Sequence, residues 1–112
     1  MALLMLTALP ANADFLSGSE LKKMLDAYSM VSKTNTGKRL EAGEGLGYVS
    51  GVWDTQYYVT FCPGRGVLQS QAIAVADKWL SENPARWNEP AKTLLNEAFV
   101  AAFPCPGPQK KN

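Results

Sequence analysis

Apolar residues recur along this chain at the three- and four-residue intervals of helices, interrupted by short polar or proline-bearing stretches. The first such segment follows Ser17-Gly18-Ser19-Glu20, where a serine three residues before a glutamate fits a capping box. Leu21, Met24, Leu25 and Tyr28 then share one face, predicting a helix of about three turns. Residues 31–42, VSKTNTGKRLEA, are polar and turn-rich and read as a loop. A second helix opens in GEGLGYVSGVWD, residues 43–54, with Val49, Val52, Trp53 and Tyr57 as its apolar stripe, and stops before Pro63-Gly64. TQYYVTF, residues 55–61, is β-prone by composition but continues that stripe, so no strand is assigned to it. A third helix over 68–81 offers Ala72, Ile73, Ala76, Trp79 and Leu80 to a core, and Asn83-Pro84 ends it. A fourth opens at Pro90, a residue suited to a first helical turn, and turns Ala91, Leu94, Leu95, Ala98 and Ala102 inward. The pattern predicts an all-α single domain of four to five helices.

The glycines of the second helix need a reason, because each helical glycine costs roughly 0.5–1 kcal/mol relative to alanine. Gly43, Gly47 and Gly51 recur every four residues and fall near one side of the helix. A strip without side chains lets another backbone approach closely and gain dispersion contacts. The favoured expectation is close packing within the chain; a homodimer seam is the alternative. Glu41, Glu44 and Asp54 lie in or beside the segment, which argues against a bilayer.

Composition removes several functions. The chain has 112 residues, enough for one small domain, and a net charge of +1 with acids and bases interspersed. No basic stripe of the kind that grips nucleic acid is present. There is no histidine, so Ser–His and Cys–His nucleophiles and the commonest zinc ligand are absent. No metal or cofactor is expected. Asp54 or Glu44 could serve as a general base only with a raised pKa and a partner, and the sequence shows neither. An enzyme is therefore the last of the readings.

The N-terminus, MALLMLTALPANADF, reads as an export signal. Ala2 to Leu9 is a short apolar run, and Ala11-Asn12-Ala13 places small residues where a signal peptidase cuts, giving cleavage after Ala13. No lysine or arginine precedes the run, which suggests a natural start further upstream; a buried N-terminal helix is the alternative. The expected organisation is a signal peptide over 1–13, a helical domain over 14–105 and a short basic tail over 106–112. Cys62 and Cys105 are the two cysteines, too far apart for a CxxC redox pair and each beside proline. Parity and export favour a disulfide over two free thiols. The bridge would close a loop of about 44 residues, worth roughly 4 kcal/mol.

Gly47-Tyr48-Val49-Ser50-Gly51-Val52-Trp53-Asp54 resembles the Gly-Tyr-Ile-x-Gly-apolar-x-Asp stretch of the Tai-type immunity proteins of type VI secretion. The resemblance continues through Phe61-Cys62-Pro63, Gly66-Val67, Lys78-Trp79-Leu80 before Asn83-Pro84, then Ala91, Leu94, Leu95, Ala98 and Ala102-Phe103-Pro104-Cys105. Phe15 to Leu21 is similar to the start of that family's first helix. Two further cysteines of the family are missing here, their places held by Tyr28 or a near neighbour and by Gly45. The resemblance implies a periplasmic helical protein, often dimeric, that neutralises a peptidoglycan amidase by plugging its cleft. Its partner would be that protein toxin.

Within the connection Ser81 to Glu89, the residues Glu82, Arg86, Trp87 and Asn88 are the first candidates for toxin contact, since Trp and Arg are preferred anchors. Trp87 has a plainer alternative, stapling the fourth helix onto the core. Lys38 and Arg39, ending the polar loop, are second candidates. A small periplasmic acid-stress chaperone, also helical and held by one long-range disulfide, is the rival function.

Overall fold

The computed structural model describes residues 15–34 and 38–107. The expected signal peptide and most of the basic tail lie outside these residues. Four helices run α1 (Gly18–Thr34), α2 (Arg39–Gln56), α3 (Gln69–Glu82) and α4 (Ala91–Ala102), with a short 3₁₀ turn at Pro84–Arg86. The all-α prediction holds. The loop expected over 31–42 is much shorter, because α1 continues to Thr34 and α2 begins at Arg39.

The capping box forms as its residues dictate. The Ser17 N–H donates to Glu20 Oε2 at 2.9 Å, and the Glu20 N–H donates to Ser17 Oγ at 3.3 Å. The Ser17 N–H first, and then the Ser17 hydroxyl donating to the same Oε2 at 3.1 Å, hold the Glu20 carboxyl below the ordinary carboxylate range. Around this cap, α1 docks onto the segment that leads into α4. The Gly18 N–H donates to Glu89 O, that of Ser19 to Trp87 O, and that of Ala91 to Leu16 O, all within 2.8–2.9 Å. Lys22, half-buried, ties α1 to α3 through Asp77 at 3.0 Å and also pairs with Asp26.

The core collects Leu21 and Leu25 of α1, Val49 of α2, Ala72, Ile73, Ala76 and Leu80 of α3, and Ala91, Leu94, Leu95, Ala98 and Phe99 of α4. Most of the predicted apolar stripes point into it. Tyr57 and Ala102 do not; both are exposed. Their places are taken by Phe61 and Phe99, which are fully buried. The Trp53 ring lies 4.9 Å from Phe61, 5.0 Å from Phe99 and 5.6 Å from Phe103.

This cluster explains why α2 ends at Gln56 rather than running to Pro63. Residues 53 and 61 of one straight helix would be about 12 Å apart along its axis. Here their rings touch, so the chain must turn back between them. Tyr57 leaves the helix with extended backbone, Tyr58 takes a positive φ of 59°, and the Tyr58 N–H donates to Phe61 O at 2.6 Å. Immediately after, Cys62 is bonded to Cys105, with their Cα atoms 4.7 Å apart. The Cys62 N–H donates to Phe103 O at 2.8 Å, so the bridge and the backbone join the end of α4 to the turn.

The glycine expectation is corrected. Gly43, Gly47 and Gly51 are exposed, and a Cβ added at any of them would meet nothing within 4 Å. The close approach falls instead at Gly45, about half a turn from the strip and on the opposite side of the helix. A Cβ there would sit 2.8 Å from Met24 Cβ and 3.3 Å from the Met24 carbonyl carbon. Gly45 is where the family resemblance places one missing cysteine, and its neighbour across the helix pair is Met24 rather than Tyr28.

Two stability outcomes follow from this geometry. Gly45→Ala should lower the unfolding free energy by about 1–3 kcal/mol through overpacking, whereas Gly47→Ala should raise it by about 0.5–1 kcal/mol. Urea denaturation midpoints moving in opposite directions are the expected reading. Replacing both cysteines by serine should remove about 4 kcal/mol, measured by the same method.

Candidate functional site

The connection between α3 and α4 was the first place the sequence pointed to, and its strongest groups are engaged within the protein. Arg86 Nε donates to Glu89 Oε2 at 2.6 Å and Nη2 to Glu89 Oε1 at 2.9 Å, and Nη2 also pairs with Glu97 of α4. The guanidinium lies 5.4 Å from the centre of the Trp79 ring. These bonds raise the Arg86 pKa, with the hydrogen bond to Glu89 foremost, and the same bond holds the Glu89 carboxyl below its ordinary value. Trp87 Nε1 donates to Leu80 O at 2.7 Å while its ring packs against the core. The plainer alternative for Trp87, a staple, is what the structure contains. Glu82 pairs with Lys78 at 3.9 Å, and Asn88 is exposed. Lys38 and Arg39 are exposed at the start of α2, beside residues outside the described set. The sequence candidates thus form two separate surfaces.

A third surface was missed by the sequence reading. Tyr57, Tyr58 and Val59, at the turn after α2, are 47%, 60% and 72% exposed. Their backbone is fixed from several sides. The Val59 and Thr60 N–H groups both donate to Gln56 O at 2.9 Å. The Tyr58 hydroxyl donates to Pro63 O at 2.5 Å, and Thr60 Oγ1 lies 3.2 Å from Asn96 Oδ1 of α4. The two tyrosine rings meet edge to face at 5.6 Å. Beside the turn, α2 and α4 border a shallow groove of about 430 Å³ lined by Gly51, Val52, Thr55, Gln56, Lys92 and Asn96. The signal available in the sequence was the β-prone TQYYVTF stretch directly before Cys-Pro-Gly.

Neither Asp54 nor Glu44 sits in an enclosed acid–base arrangement; both are exposed on α2. Among the described residues, no group of three or more Cys, Asp or Glu side chains could hold a metal ion.

Residues 17–105 match the family described as Rap1a immunity proteins. The chain belongs to that family. The match runs from the capping serine of α1 to the second cysteine, covering all four helices and the aromatic turn. No curated protein sequence matches the chain. Membership of an immunity family implies binding and inhibition of a cognate toxin by a non-enzymatic protein. On this Rap1a immunity protein the surfaces described are the α3–α4 connection, the start of α2 and the aromatic turn.

The ion pairs of the α3–α4 connection give a pH test. The Arg86 guanidinium holds the Glu89 carboxyl below its ordinary value in the folded chain. Its contribution is present above that value and is lost as pH falls through the lowered folded pKa, because the unfolded chain protonates first. Arg86→Gln should therefore cost stability at pH 7, and the gap from wild type should narrow below about pH 4. Denaturant melts at the two pH values check this.

Proposed function

We propose that this Rap1a immunity protein protects the periplasm from a type VI secretion amidase by covering that toxin's catalytic cleft. The match to an immunity family over 17–105 carries the reading. The Tai-type resemblance, lying within the same span, supports an amidase as the target. The Cys62–Cys105 bond supports an oxidising compartment, since such crosslinks persist there and are rare in cytosol. An export signal over 1–13 fits that location. The acid-stress chaperone would account for the disulfide equally well, and the family match is what favours the antagonist.

Occlusion needs shape more than reactive groups. The structure's ties at Arg86 and Trp87 support a connection of fixed form, with Glu82 and Asn88 on its surface as proposed toxin contacts. Lys38 and Arg39 are proposed as further contacts. Gly43, Gly47 and Gly51 face open space, which leaves a homodimer seam as their proposed role.

The test is co-expression of the exported protein with the amidase encoded beside its gene. The expected result is rescue from lysis and co-purification of a stable complex. Lysis without rescue, together with no complex, would overturn the reading.

A further inference from the structure

We propose that the Tyr57-Tyr58-Val59 turn is the principal anchor of this protein on its cognate toxin, seated in an uncharged, apolar-lined recess of that protein. This rests on the antagonist reading above and adds the residues and the chemistry of the recess.

The fold needs a reversal at residue 58 to return Phe61 to Trp53, and a glycine there would supply it without strain. Instead a tyrosine holds a φ of 59°, a conformation that costs a bulky residue and clusters at functional sites. Nothing in the core uses the Tyr57, Tyr58 or Val59 side chains, which are the most prominent run of exposed large apolar groups on the described surface. Tyrosine is among the residue types enriched in interface hot spots. The turn is also pre-set. The Tyr58–Pro63 and Thr60–Asn96 hydrogen bonds and the neighbouring Cys62–Cys105 bond fix it before any partner arrives, so little ordering is lost on binding.

Charge identifies the partner surface. The chain carries 11 basic and 10 acidic side chains, yet residues 55–64 contain none of them. A recess that buries this turn need not neutralise any charge, and a charged recess would leave its own groups unpaired. The neighbouring groove adds the neutral hydrogen-bonding groups of Thr55, Gln56 and Asn96, with Lys92 as its one charged lining residue, a mix suited to the polar rim around a buried anchor.

Shape argues against a symmetric second copy as the occupant. A convex turn cannot pair with itself; it needs a concavity, and the cleft of an enzyme is one. The three side chains present roughly 300 Å² of the about 800 Å² that a stable interface buries on each partner, so neighbouring surface joins them.

The experiment uses the full exported chain and a catalytically inactivated form of the amidase encoded beside its gene, with affinity measured by calorimetry. Tyr57→Ala and Val59→Lys should keep wild-type helical content and melting temperature while weakening binding at least tenfold each. Glu44→Ala, an exposed change on α2 outside every proposed contact, should change it less than threefold. Val59→Lys alters the most exposed of the three residues, so it reports on binding even if Tyr57→Ala melts early. Wild-type affinity in folded Val59→Lys would overturn the anchor while leaving the antagonist reading intact. Failure of the wild type itself to bind would overturn both. A wild-type dimer that Val59→Lys dissociates, with toxin affinity unchanged, would assign the turn to self-association and also overturn the proposal.

Discussion

The contact on which the rest of the molecule turns is Phe61 against Trp53 and Phe99, rings about 5 Å apart in the centre of an otherwise aliphatic bundle. To make it, the chain must leave a helix, reverse within four residues and re-enter the core. Aromatic packing drives the reversal, since a buried phenylalanine contributes a few kcal/mol by removal from water alone. The Cys62–Cys105 bond then fastens the residue after Phe61 to the end of α4, where Phe103 closes the same cluster. Cluster and crosslink support each other: one gives the turn a reason, the other limits how far it can open.

What the reversal places outside is as informative as what it brings in. Turning Phe61 inward leaves Tyr57, Tyr58 and Val59 in solvent, on a turn held by backbone hydrogen bonds to Gln56 and Phe61 and by the Tyr58 hydroxyl on Pro63 O. By contrast, the connection between α3 and α4 has its cation and its indole spent on internal partners. The protein therefore has one loop whose cation and indole are packed against the fold and another whose polar groups hold its shape while its apolar faces stay in solvent. That difference separates framework from display.

Much of this was legible in the sequence. Helical periodicity located α1, α3 and α4, Ser17 and Glu20 announced the first cap, and the parity of the cysteines gave the crosslink. The boundaries of α2 were not legible, for physical reasons that differ at its two ends. At the start, Arg39 and Leu40 are exposed, Glu41 is half-buried and Ala42 alone turns inward, and composition cannot separate such a helix from loop. At the end, Tyr57 fits the apolar stripe of a continued helix; only the long-range pull of Trp53 and Phe99 on Phe61 forbids it. The glycine strip misled in a related way. A four-residue repeat shows which glycines share a side but not which side is inward, and Gly45, outside the repeat, is the one pressed against Met24. The binding candidates rested on residue type, which finds tryptophan and arginine but not whether they are already occupied.

The crosslink encloses residues 62 to 105, and so it encloses the surface connection between α3 and α4. A protease that cut that connection would leave both fragments covalently joined, with their shared core still assembled around Leu80 and Leu95. The nicked molecule would migrate as a single species until reduced. Tolerance of a broken backbone at this link is built into the position of two sulfur atoms.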